Sequence, residues 1–117
     1  MKQQVKGRTF GRVTRQRTAL VRSLARALIL NEHIETTEAK AKSLRPFVEK
    51  LVTKAKNDTL ASRRVVLSRL GNDTEATKKL FAEIAPRYQE RHGGYTRIVK
   101  SPKVLEDGRS VALISFV

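Results

Sequence analysis

Hydrophobic residues between positions 14 and 30 recur every three or four residues. At 100° per residue, Leu20, Leu24 and Leu28 lie on one side of a helix. Polar and basic residues occupy the opposite side of the same stretch. The pattern therefore predicts a first helix that begins near Thr14 and packs one face against the rest of the chain.

A short alternating stretch at positions 33–36 follows and is typical of a strand or a turn. A second helix, capped by Thr36 or Thr37, is then predicted to form the centre of the core. Its apolar positions are Ala41, Leu44, Val48, Leu51, Val52 and Ala55. Pro46 lies inside this pattern and lacks an N–H, so the helix is expected to kink there or to begin its regular part there.

Two shorter helices are predicted next. Asp58 is expected to cap a third helix that ends at Gly71 in a left-handed conformation. Asn72 and Glu75 have capping-box spacing and are expected to begin a fourth helix, which Pro86 would close.

The periodicity changes after this point. Residues 95–100 and 110–117 are rich in β-branched and aromatic residues, which predicts an antiparallel hairpin with a long loop. Helices followed by strands indicate an α+β fold, with about four helices packed on a small mixed or antiparallel sheet. We expect residues 14–117 to form one RNA-binding domain, preceded by an extended basic arm over residues 1–13.

The charge distribution indicates what kind of partner the protein binds. The 117 residues carry 25 Lys and Arg against 11 Asp and Glu, a net charge of +14. Residues 1–26 contain eight basic side chains and no acidic one. Because clustered like charges repel one another, this arrangement points to a polyanionic partner such as nucleic acid. The arm is expected to become ordered on that partner.

On the first helix, Arg15, Arg22 and Arg26 fall within about 40° of each other, opposite the apolar side. No acid interrupts this arginine face, so we predict that it contacts phosphates, with a merely solvated face as the alternative. The second helix has a weaker basic bias, which fits a second contact surface or a solvated face equally well. Its basic residues are Lys40, Lys42, Arg45, Lys50, Lys54 and Lys56.

A third candidate contact follows Gly93 and Gly94. Tyr95 and Arg97 are expected on one face of the strand, where stacking and phosphate pairing with RNA are possible together with Arg87, Arg91 and Lys100. An ordinary glycine turn with a half-buried tyrosine is the alternative. The complete candidate RNA-binding set is Lys2, Lys6, Arg8, Arg12, Arg15, Arg17, Arg22, Arg26, Lys42, Arg45, Arg91, Tyr95, Arg97 and Lys100.

Signals of catalysis are weak. The sequence has no Cys, and His33 and His92 are far apart without metal-ligand spacing. It also has no phosphate-binding glycine loop. We therefore expect no enzymatic activity, no cofactor, no metal and no small-molecule substrate.

The cellular location of the protein is inferred from its apolar segments and from its Cys and Ser content. The apolar run Ala27–Leu30 is too short to span a bilayer, and the first helix has neither Trp nor Phe on its apolar side, so no membrane partner is expected. Absence of Cys favours the cytoplasm. An organellar transit peptide is disfavoured because Ser23 is the only serine in residues 1–31.

Several separated motifs occur in a characteristic order. They are Gly7-Arg8, Arg12, Arg17-x-Ala19-Leu20-x-Arg22-x-Leu24-Ala25, Ile34-x-Thr36-Thr37-x-x-Lys40-Ala41-Lys42-x-Leu44-Arg45, Pro86-Arg87 and Gly93-Gly94-Tyr95-Thr96-Arg97-Ile98. This series closely resembles the bacterial large-subunit ribosomal protein L17 family and spans nearly the whole chain. The resemblance implies a structural, non-enzymatic α+β protein that binds large-subunit ribosomal RNA near the polypeptide exit tunnel, beside neighbouring ribosomal proteins. Organellar ribosomes contain relatives of the same family.

Charge by itself leaves a second class of function open. A free-standing nucleoid-type DNA-binding protein would use the same basic side chains, because attraction to phosphate is common to RNA and DNA. Only the resemblance separates the two hypotheses at this stage.

Overall fold

The computed structural model describes residues 14–104 and 108–117, so the arm predicted for residues 1–13 lies outside the described residues. The described helices are α1 (Thr14–Asn31), α2 (Glu38–Ala55), α3 (Leu60–Arg69) and α4 (Thr74–Lys79), followed by a π-helical turn (Leu80–Ile84) and a 3-10 turn (Ala85–Tyr88). The strands are β1 (His33–Thr37), β2 (Thr96–Val104) and β3 (Ser110–Phe116). This order confirms the predicted α+β architecture.

The three strands form one antiparallel sheet in the order β1-β3-β2. The alternating stretch at positions 33–36 is thus part of a strand, β1. It pairs with β3, the second strand of the predicted hairpin. Ile34, Ile114 and Ile98 lie directly opposite one another across the sheet and pack on the helical core. Because side chains alternate along a strand, Leu113 and Val99 point to the other face, where they are 37% and 50% exposed.

Helix α2 lies at the centre of the core. Its predicted apolar positions are all buried, and Ala25, Leu28 and Ile29 of α1 are buried with them. The helix begins after Thr37, whose side chain accepts a hydrogen bond from the Lys40 backbone N–H at 3.3 Å. It continues through Pro46, so its regular part does not begin at the proline.

The predicted cap of the third helix is wrong by one residue. Thr59 has an extended backbone and accepts a hydrogen bond from the Ser62 N–H at 3.1 Å, which makes it the N-cap of α3. The Asp58 carboxylate is instead held by the Arg63 guanidinium at 2.6 and 2.9 Å. At the other end of α3, Gly71 has the predicted left-handed conformation, with φ +69°.

The capping-box prediction for the fourth helix is also wrong by one residue. Asn72 is left-handed, with φ +64°, so its side chain is not placed at the helix start. Asp73 is extended and accepts the Ala76 N–H at 3.1 Å. The helical path also continues past Pro86 to Tyr88, because the proline occupies the first turn of the 3-10 segment, where its missing N–H is not needed.

Candidate nucleic-acid interface

The basic side chains of the described residues divide into two groups. Some donate to carboxylates or carbonyls of the protein itself, whereas others have no partner within residues 14–104 and 108–117. This division cannot be read from composition, because it depends on which acids the fold brings close. It decides which of the candidate RNA-binding residues keep their full charge available to an external anion.

Arg26 belongs to the first group. Its guanidinium donates to Asp73 at 2.6 Å and to Glu75 at 2.8 Å, both at the beginning of α4. The predicted arginine face of α1 therefore does not lack counter-charges. The acids were invisible in the local sequence because they lie 47 and 49 positions further along the chain.

Arg22 is also used internally. It donates to the backbone carbonyls of Arg69 at 3.0 Å and Ser68 at 3.4 Å, at the C-terminal end of α3. A cation there adds a hydrogen bond to carbonyls at the end of the helix, of which that of Ser68 also accepts the Gly71 N–H at 3.1 Å, and it opposes the negative end of the helix dipole. Arg17 donates to the Thr14 hydroxyl. Of the three arginines of the predicted face, only Arg15 is exposed without a partner in the described chain.

The candidates on α2 and β2 are partly neutralised. Lys42 and Lys100 both approach Glu38, at 3.0 and 3.7 Å, and the Lys42 hydrogen bond lowers the pKa of Glu38 below its usual value. Arg45 lies 3.5 Å from Glu49. All three basic side chains stay about half exposed or more, so each can still contact an anion from outside.

Tyr95 requires a correction. Its side chain is only 1% exposed, so it belongs to the core and is not available to stack on RNA. The ring packs at a tilt on Tyr88, with 5.2 Å between centroids, and its hydroxyl lies 3.1 Å from both Thr53 Oγ1 and Lys56 Nζ. Gly93 and Gly94 have φ of +110° and +63° and form the turn that leads to this buried position.

Arg97 and Tyr95 do not share an exposed face as predicted, because Tyr95 precedes β2 and turns inward. Arg97 is exposed opposite Ser115 on the outer face of the sheet, and Arg91 is exposed before the glycine turn. Arg87 is not free, since it forms two hydrogen bonds with Glu32, at 2.6 and 2.8 Å. These bonds, with burial opposing and Lys79 assisting, lower the pKa of Glu32 from 4.5 to about 2.

Five basic residues outside the candidate set have exposed side chains and no partner among the described residues. They are Lys50 and Lys54 of α2, Arg64 and Arg69 of α3, and Lys78 of α4. Lys50 and Lys54 were visible in the sequence as an i, i+4 pair within the basic bias of α2. Arg69 gave no such signal, because its proximity to α2 is produced by the packing of two helices. Lys2, Lys6, Arg8 and Arg12 lie outside the described residues.

Within residues 14–104 and 108–117, no group of three or more His, Asp or Glu side chains is placed to hold a metal ion. Among the described helices, none is both long and apolar enough to cross a membrane. The prominent chemical feature of this surface is therefore its distribution of positive charge.

Comparison with known proteins adds an independent finding. The family described as "Ribosomal protein L17" matches residues 20–117. The chain is 57% identical to the "Large ribosomal subunit protein bL17" of Hydrogenobaculum sp. (strain Y04AAS1), over 100% of this chain and 99% of the relative. Identity is 54% to the protein of the same name from Persephonella marina, covering 100% and 95%, and 50% to that from Shouchella clausii, covering 92% and 96%.

Proposed function

Because the chain belongs to the ribosomal protein L17 family, we propose that it is a structural constituent of the large ribosomal subunit that binds large-subunit ribosomal RNA. The proposal includes a position near the polypeptide exit tunnel, beside neighbouring ribosomal proteins, in cytoplasmic ribosomes. It assigns no reaction, cofactor or small-molecule substrate to the protein.

The observation that carries the RNA-binding part is the set of exposed cations without an internal counter-charge in the described chain. Its members are Arg15, Lys50, Lys54, Arg64, Arg69, Lys78, Arg91 and Arg97. They come from all four α-helices, the turn before β2 and β2 itself, so positive charge is presented by several elements of a folded scaffold. Such a surface binds phosphates through charge and shape, and releases the counterions condensed on RNA.

The paired cations have a different role in this proposal. Arg22 and Arg26 connect α1 to α3 and α4 through bonds at 2.6 to 3.4 Å, and thereby fix the helix on which Arg15 is presented. Arginine is suited both to linking helices and to binding phosphate, because its planar guanidinium bonds two acceptors at once. The scaffold is thus positioned before RNA arrives, which limits the ordering cost of binding.

The assembly part is tested by sedimenting a cell lysate through sucrose gradients at moderate and at high salt, with detection of this protein in each fraction. Co-migration with the large subunit that persists at high salt supports the proposal. Migration at the top of the gradient, or with material sensitive to DNase, overturns it and favours the nucleoid-type DNA-binding alternative.

The contact part is tested by filter binding of the full chain to large-subunit ribosomal RNA over a series of salt concentrations. Arg15→Gln and Gln16→Glu lower the net charge equally, at neighbouring exposed positions of α1. We expect Arg15→Gln to reduce the salt slope by about 0.7 to 0.9, the value for one lost phosphate contact, and Gln16→Glu to change it much less. Equal effects of both variants would show that only total charge matters at this helix.

A further inference from the structure

An open groove of about 720 Å³ lies between α2 and α3 and ends at the turn before Tyr95. Its volume falls within the range of about 300 to 1,000 Å³ that is typical of small-ligand sites. Three of its lining side chains are cations that have no partner in the described chain, namely Lys50, Lys54 and Arg69. The groove is therefore both concave and positively charged.

The positive charge is held on two sides. Lys50 and Lys54 lie one helical turn apart on α2, separated by about 6 Å along the axis. Arg69 faces them from α3, and its backbone carbonyl is held by Arg22 at 3.0 Å, which fixes this end of the helix. The two helices that line the groove, α2 and α3, thus both present cations to it.

The acidic residue of the lining does not cancel these charges. Glu49 accepts hydrogen bonds from the Thr96 N–H at 3.1 Å and the Thr96 hydroxyl at 2.8 Å, and it lies 3.5 Å from Arg45. Its carboxylate is 22% exposed and is occupied by these partners. The lining therefore has an excess of positive charge, since its three cations are free and its one carboxylate is already bonded.

The remaining lining suits a flat ring. Leu51 and Tyr95 are each 1% exposed and close the floor, whereas Val65 is half-buried and Pro46 is exposed, so both present apolar surface to the groove. Asn57 contributes an exposed amide with one donor group and one acceptor group. A guanidinium such as that of Arg69 can also stack on a base.

Resting on the function proposed above, we propose that this groove binds one unpaired nucleotide of RNA. Its phosphate lies between Lys50 and Lys54, and its base lies on the apolar side at Val65 under the Arg69 guanidinium. An acidic peptide would use the same charges. The groove favours a nucleotide, because a docked amphipathic helix needs a row of apolar seats and the accessible apolar lining is confined to Val65 and Pro46.

The test compares two full-length variants with equal loss of charge. The groove variant is Lys50→Gln/Lys54→Gln/Arg69→Gln, and the control is Lys40→Gln/Arg64→Gln/Lys78→Gln, which changes helix positions outside the groove lining. Glutamine keeps helix propensity close to that of Lys and Arg, and circular dichroism and thermal unfolding verify the fold of each. Binding to large-subunit ribosomal RNA is measured as a function of salt, together with chemical probing of base accessibility.

The groove variant is expected to bind at least tenfold more weakly and to lose about 0.7 from the salt slope, the value for the one phosphate of single-stranded RNA that Lys50 and Lys54 hold. A base protected by the wild-type chain should become accessible with this variant and stay protected with the control. Equal losses for both variants, or protection that persists with the groove variant, would overturn the nucleotide assignment while wild-type RNA binding stands.

Two further outcomes are distinguishable. If the groove variant binds RNA like the wild type but fails to join the large subunit, the groove holds a neighbouring protein and the nucleotide assignment is wrong. If the wild-type chain itself shows no salt-resistant binding to ribosomal RNA, the proposed function fails together with the inference that rests on it.

Discussion

Arg26 and Asp73 meet at 2.6 Å across the junction of α1 and α4, although 47 positions separate them in the sequence. The same Asp73 caps α4 by accepting the Ala76 N–H at 3.1 Å. One carboxylate therefore both begins a helix and binds the basic face of another. This double use connects the arginine-rich α1 to the beginning of α4.

Replacement of Asp73 by alanine should destabilise the fold. It removes the N-cap of α4, a change that typically costs about 1 kcal/mol, and leaves Arg26 with only its contact to Glu75. Urea unfolding of Asp73→Ala measures the loss. Glu75→Ala is the matched control, because the Glu75 side chain is 68% exposed and its loss should change stability by less than about 0.5 kcal/mol. A loss as large in Glu75→Ala would contradict the capping role.

Arg22 should contribute to stability, in contrast to Arg15. Arg22→Gln removes charged hydrogen bonds to the carbonyls of Arg69 and Ser68, which end α3. Bonds of this kind contribute about 1 kcal/mol when partly exposed, so a lower melting temperature is expected. Arg15→Gln, on the same helix without a partner in the described chain, should unfold like the wild type. The hypothesis fails if the two variants have the same melting temperature.

Glu32 should make stability depend on acid pH. Its pKa falls from 4.5 to about 2 in the folded protein because Arg87 and Lys79 stabilise the carboxylate. A depressed folded-state pKa stabilises the protein well above the ordinary value of 4.5, and this contribution is lost as the pH falls toward 2. Since the side chain is 34% exposed, screening reduces the contribution to about 1 kcal/mol.

The check is urea unfolding at a series of pH values between neutral and strongly acidic. Glu32→Gln should be less stable than the wild type near neutral pH, and the two curves should converge in acid. Glu83→Gln serves as the control, because Glu83 is exposed and has no partner in the described chain. Curves for Glu32→Gln that stay parallel to the wild type at every pH would rule out this linkage.

Tyr95 should behave as a core residue. Tyr95→Phe keeps the ring packed against Tyr88 but removes the hydroxyl that bonds Thr53 and Lys56, for an expected loss of about 1 kcal/mol. Tyr95→Ala also creates a cavity and should cost about 3 to 5 kcal/mol. RNA affinity of the folded Tyr95→Phe protein should match the wild type. A selective loss of affinity without a loss of stability would instead assign the Tyr95 hydroxyl a direct contact with RNA, which its burial excludes.

The sequence by itself determined the four helices and the strands β2 and β3, and left positions 33–36 open as a strand or a turn. Apolar spacing in α1 and α2 and the β-branched residues of β2 and β3 were sufficient, because local periodicity selects the face that must be buried. It also predicted the left-handed Gly71, whose φ is +69°. The ordered motifs identified the family, since several of them in one order are far more specific than any single motif.

Only the tertiary structure decided which charges are free. Local pattern gave an unbroken arginine face on α1, but folding brings Asp73 and Glu75 to Arg26 and the end of α3 to Arg22. Ion pairs and grooves form between residues distant in sequence, so their partners are fixed by helix packing and not by spacing along the chain. For the same reason, Tyr95 is buried in the core although the sequence predicted it at the surface. Helix packing likewise places Arg69 beside Lys50 and Lys54 in one groove.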